Sequence, residues 1–129
     1  MKKILASLTL ALLATQAHAD WARIDYSSDQ LAVYIDRDSL KSAGVGIVQM
    51  WHLYDYKAAQ DLSGQPYLSV KAQNEYECDK GALRDMLSFY HTGGMGNNKM
   101  VQAVYKPGPW VKPEAGSVDE ALVRIACAK

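Results

Sequence analysis

Neither sign of charge predominates in this chain of 129 residues, where 14 Lys and Arg stand against 14 Asp and Glu. Without a basic excess there is no electrostatic footprint for a nucleic-acid partner. Cysteine is nearly absent, with Cys78 and Cys127 alone. They are far apart and have no flanking Cys or His, so no redox pair of the C-x-x-C kind and no zinc site is spelled out. Three His residues make no His-x-x-x-His or His-Glu pattern. No G-x-S-x-G elbow marks a nucleophile. The glycines of Gly93–Gly96 lead into Asn97, Asn98 and Lys99 and then a strand, not the Lys-Ser/Thr and helix of a phosphate loop. Asp36, Asp38, Asp55 and Asp61 lack the alternate spacing and closing Glu of a calcium loop. The expectation is a non-enzymatic protein without cofactor or metal. Beyond the N-terminus no apolar stretch reaches the length of a membrane span, and no stable membrane insertion is expected.

What is present begins with Lys2 and Lys3, an apolar run from Ile4 to Ala14, and Ala17-His18-Ala19. This is the charged, apolar and small-x-small order of a signal peptide over residues 1–19, cleaved between Ala19 and Asp20. The remaining 20–129 is one domain, large enough for a core. Losing Lys2 and Lys3 leaves 12 basic against 14 acidic side chains, a net charge of −2. No Cys follows the apolar run to carry a lipid, so a soluble periplasmic or extracellular protein is expected. In such a compartment two cysteines read as a disulfide, Cys78–Cys127.

Period-two alternation places strands at Trp21–Ser27 and Leu31–Asp36, joined as a hairpin. Polar Asp38–Ser42 reads as one helical turn. Ile47–Tyr56 is apolar on both faces, as a central strand is. Lys57–Pro66 reads as a loop. Tyr67–Cys78 alternates cleanly, with Leu68, Val70, Ala72, Tyr76 and Cys78 inward and a wet face of Ser69, Lys71, Gln73, Glu75 and Glu77. Leu83–His91 follows with Leu83, Leu87 and Phe89 in phase, then a flexible loop Thr92–Asn98 and a strand Lys99–Lys106. Pro107–Pro113 sustains neither ladder nor helix. Ser117 and Glu120 form a capping box in which the Glu carboxylate reaches back to the Ser117 amide. Val118, Ala121, Leu122 and Ile125 then repeat at helical spacing. The fold class is α+β: an antiparallel sheet of about six strands with a C-terminal helix packed on one face, stapled by the disulfide.

Eight Tyr and three Trp accompany a single Phe. Such side chains suit surfaces that are half apolar and half wet, and strand propensity favours them equally. One helix leaves a sheet face uncovered, and Trp51, Tyr54, Tyr56, Tyr90, Tyr105 and Trp110 include candidates for it. The order of Trp21, Tyr34-Ile35-Asp36, Val48–Trp51, Asp55-Tyr56, Tyr76–Cys78, Tyr90–Gly93, Trp110, Pro113, Ser117 and Cys127 resembles the surface-adhesin protein E family of Gram-negative bacteria. The resemblance covers nearly all of residues 20–129. It implies an antiparallel sheet with an attached C-terminal helix, a homodimer, and adhesion to host extracellular-matrix or serum proteins. Tyr90, His91, Met95 and Trp110 are the candidate partner-binding residues. The alternative reading is a soluble periplasmic protein that binds an envelope component or inhibits an enzyme there.

Overall fold

The computed structural model describes residues 19–26 and 28–128. Apart from Ala19, the expected signal peptide lies outside the described residues. Six strands, β1 (Trp21–Arg23), β2 (Leu31–Gly44), β3 (Ile47–Leu62), β4 (Gln65–Glu77), β5 (Ala82–His91) and β6 (Met100–Val104), precede one helix, α1 (Val118–Ala126). The strands form one antiparallel sheet in chain order, a plain meander. With nine α-helical residues in α1, the described part of the chain is mostly sheet.

The sheet's two faces differ because the helix covers only one. Val33, Ile35, Met50, Tyr76 and Leu83 from the strands, with Ile24, pack against Leu122 and Ala126 of α1. Leu122, Ile35 and Tyr76 have no exposed surface. The Cys78–Cys127 disulfide, with Cα atoms 5.5 Å apart, ties the end of β4 to the C-terminal end of α1. Ser117 caps that helix as its sequence predicts, accepting the Glu120 amide at 3.2 Å. The Glu120 carboxylate takes the Gly116 amide instead of that of Ser117, which donates to the Glu114 carbonyl.

Several sequence expectations are corrected. Asp38–Ser42 is strand, not a helical turn. A bulge there shifts the pairing from Asp36↔Trp51 to Lys41↔Gln49. Ser39 mends the gap: its hydroxyl donates to the Asp36 carbonyl and accepts the Trp51 amide at 2.8 Å. Lys57–Pro66 is not a loop either, since β3 and β4 run on to a tight turn at Ser63 (φ 52°) and Gly64 (φ 87°). Both central residues with positive φ suit the twist of a two-residue hairpin turn. These arms are largely exposed on both sides, so alternation could not reveal them. The wet face of β4 is also wrong in part, because Ser69 (0% exposed) and Glu75 (8%) are buried. A further bulge at Met86, between the pairs Asn74↔Asp85 and Gln73↔Leu87, breaks the expected phase of β5. Leu83 joins the helix-side core, whereas Leu87 and Phe89 pair onto the opposite face. The first strand stops at Arg23, and the last spans Met100–Val104. Pro107–Pro113 is tied down after all by one bridge, Leu83↔Val111, and by the Gly108 amide on the Asp85 carbonyl at 2.8 Å.

Candidate functional site on the uncovered sheet face

Cross-strand register brings two rows of side chains together on the face away from the helix. One row is Trp21, Asp36, Trp51, Gln73 and Leu87; the next is Arg23, Tyr34, Leu53, Lys71, Phe89 and Ala103. Trp21, Asp36, Trp51, Lys71 and Phe89, with Ala19, line a shallow open cleft of about 260 Å³. The Trp51 and Phe89 rings are nearly parallel, 13° apart with centroids at 5.9 Å. Phe89 meets Tyr105 edge-on at 5.8 Å. Tyr105 is 68% exposed, so the aromatic row runs from the cleft into solvent. Asp36 and Lys71 both border it, and neither forms an ion pair among the described residues.

Lys71 is placed by the segment after β5. Gly94–Gly96 forms a 3-10 turn, and a Cβ on Gly96 would sit 2.9 Å from Lys71 Cδ. Gly96 also has φ 71°, so two independent constraints call for glycine there. The turn is latched onto the sheet, not flexible as its composition suggests. Ser69 Oγ donates to the Gly93 carbonyl and accepts the Gly96 amide at 2.8 Å, and Asp55 Oδ1 accepts the Met95 amide at 3.0 Å.

Register also aligns Asp55, Ser69 and His91 across β3, β4 and β5. The residue types are those of a hydrolase triad, but the geometry is not. Ser69 is fully buried, its hydroxyl is engaged by the turn, and neither His91 ring nitrogen reaches it. Burial, then the nearby Lys71 charge, lowers the His91 pKa from its ordinary value. Among the described residues no group of His, Cys, Asp and Glu is arranged to hold a metal ion. No described helix is long and apolar enough to cross a membrane.

The candidate binding residues divide between the faces. Met95 (φ 57°) lies in the latched turn beside the cleft row. Trp110 borders the same face, with the Arg84 guanidinium 4.5 Å over its ring. Arg84 in turn pairs with Glu75 at 2.6 Å, which accounts for that buried carboxylate. His91 is buried at 8% exposure beneath the turn. Tyr90 is on the helix side, edge-on to Tyr67 at 4.9 Å, in an aromatic series with Tyr54 and Tyr56. Of the aromatic candidates, then, Trp51, Tyr105 and Trp110 belong to the uncovered face. Trp21, Asp36, Lys71 and Phe89 complete the cleft. Strand parity could have singled out Trp51, but the cleft as a set depends on register and on bulges.

The family model for surface-adhesin protein E matches residues 21–128. Among solved structures, crystal form II of Haemophilus influenzae protein E is similar, with a TM-score of 0.61 at 15% identity over 74% of this chain and 80% of that one. Protein E from non-typeable Haemophilus influenzae gives a TM-score of 0.61 at 14% identity, over 88% and 79%. The selenomethionine form of Haemophilus influenzae protein E gives 0.58 at 13% identity, over 83% and 92%. A comparison with curated proteins finds no significant match. At these identities the structural likeness speaks for the fold.

Proposed function

Since this chain belongs to the surface-adhesin protein E family, we propose that it is a non-enzymatic binding protein that holds a protein partner against the uncovered face of its sheet. The observation that carries the reading is the aromatic row Trp51–Phe89–Tyr105 on the face the helix leaves open. Aromatic anchors in a shallow cleft, with isolated charges at the margin, are what a protein interface concentrates. Met95 and Trp110 extend the contact at its border. His91 supports the contact from beneath the turn that carries Met95, whereas Tyr90, on the helix side, faces away from it. The partners are host extracellular-matrix or serum proteins. The chain is exported, with residues 1–19 removed, and works at the cell surface or beyond it.

The test is saturable binding of the oxidised protein to immobilised laminin and vitronectin. Trp51→Ala and Phe89→Ala are expected to weaken binding by about tenfold or more, the cost of losing an interface anchor. Their thermal melts should remain cooperative. Absence of saturable binding by the unaltered protein to either ligand would defeat the reading. Intact-mass analysis of the exported protein should give a chain beginning at Asp20.

A further inference from the structure

Resting on that protein-binding reading, we infer that the specificity of the cleft lies at Asp36, which receives the guanidinium of a lone arginine on the partner between the indoles of Trp21 and Trp51. Register sets Asp36 directly opposite Trp21 on one side and Trp51 on the other. Side chains opposed in this way stand about 5 Å apart at Cβ. All three are half-buried and line the same cleft. Asp36 forms no ion pair among the described residues, and its Oδ1 accepts the Asp38 amide at 3.2 Å.

The same face already holds one guanidinium by these means. Glu75 follows Gln73 by two places on β4 and so shares the face. Its carboxylate accepts Arg84 Nε at 3.0 Å and Arg84 Nη2 at 2.6 Å. The guanidinium meanwhile lies 4.5 Å over the Trp110 ring. An indole and a carboxylate together suit arginine, whose planar cation stacks on one and hydrogen-bonds the other. Trp21, Asp36 and Trp51 offer the same two chemistries with a second indole added.

Size and charge narrow the occupant. The cleft, about 260 Å³ and open to solvent, falls short of the roughly 300–1,000 Å³ of a small-molecule site. It has room for one side chain, with the rest of the partner laid on the aromatic row. Arg23 and Lys71 stand in the next row, and neither is ion-paired among the described residues. The stem of Lys71 runs along the turn, since a Cβ on Gly96 would lie 2.9 Å from its Cδ and 3.0 Å from its Cε. A run of basic residues on the partner would meet these two charges and be repelled. A single arginine over Asp36 avoids them.

The test is an NMR titration of the oxidised protein at low salt with N-acetyl-argininamide, followed at the indole N–H resonances of the three tryptophans. The resonances of Trp21 and Trp51 are expected to shift saturably at millimolar ligand. Trp110, already stacked with Arg84, should stay in place. N-acetyl-citrullinamide, of the same shape without the charge, should bind about tenfold more weakly or worse, the cost of losing charge-assisted hydrogen bonds. Asp36→Asn, whose side-chain oxygen can keep the Asp38 amide, should weaken the arginine probe by a similar factor, and Asp36→Glu should retain most of the binding. Equal binding of the citrulline probe, or equal shifts of all three indoles, would overturn the inference. So would stronger binding by N-acetyl-glutamamide, which would assign the cleft to an anion through Lys71 and Arg23. Arginine binding that meets these criteria, without laminin or vitronectin binding, would sink the functional reading and leave the assignment of Asp36 standing. Laminin or vitronectin held as tightly by Asp36→Asn as by the unaltered protein would sink the assignment alone.

Discussion

Replacing both cysteines, Cys78→Ala with Cys127→Ala, should be the most damaging pair of changes made outside the core. The bond spans 49 positions. In the chain-entropy treatment a crosslink of that span removes about 14 cal/mol/K from the unfolded chain, or about 4 kcal/mol at room temperature. That is a large share of the ~5–15 kcal/mol typical of a whole domain. A domain of this size loses roughly 4 °C of melting temperature per kcal/mol, so a drop of about 15 °C is expected. The structure adds a location to the magnitude. Both cysteines are half-buried against the helix-side core, so Ala avoids leaving an orphaned polar group there. The bond joins α1 to the sheet across the boundary between the two layers. The assay is urea unfolding followed by tryptophan fluorescence, with far-UV circular dichroism in parallel. If the double variant loses less than about 1 kcal/mol, the chain-entropy reasoning fails here. If dichroism and fluorescence transitions separate, the helix is leaving before the sheet, and a single stability value no longer applies.

Leu122→Ala should cost about 3 kcal/mol, since Leu122 is fully buried between helix and sheet and the cavity has few routes to collapse; a loss under about 1 kcal/mol in urea unfolding would show the helix to be loosely docked. Burial pulls the His52 pKa from 6.5 to about 4. Between those values only the unfolded chain takes up the proton, so His52 lowers stability as pH falls through that window, by on the order of 3 kcal/mol. His52→Leu should therefore flatten the acid limb of stability against pH, and an unchanged limb would clear His52 of the role. Ser69→Ala should cost roughly 1–3 kcal/mol, because it strips partners from the Gly93 carbonyl and the Gly96 amide together. Amide exchange at Gly96 should quicken in that variant, and unaltered exchange would mean that Ser69 does not hold the turn.

How far the sequence discloses this molecule depends on where one face of a strand is buried. Val33, Ile35, Met50, Tyr76 and Leu122 pack where their periodicity places them, because water on one side and core on the other leave a regular trace. That trace disappears in the outer arms of β3 and β4, where both faces are wet and Lys57–Pro66 reads as loop. It misleads at bulges: one extra residue at Met86 moves Leu87 and Phe89 to the face opposite Leu83. The cleft suffers most from this. Trp21, Asp36, Trp51, Lys71 and Phe89 come from five strands, so placing them together needs every register at once. The turn at Gly94–Gly96 is a different kind of failure. Its glycines look like slack, yet here they permit close approach to Lys71 and a left-handed residue at Gly96. The disulfide was legible because compartment and count sufficed, without geometry.

The meander order has a bearing on assembly. Every ladder in the sheet joins strands adjacent in sequence, so a chain emerging N-terminus first always finds its next partner already laid down. Hairpins of this kind close in microseconds. Cys78, by contrast, must wait 49 positions for Cys127, which arrives only with the final helix. Oxidation is thus the closing event, and trapping free thiols during biogenesis would count the molecules whose sheet is built but whose helix has yet to be fastened.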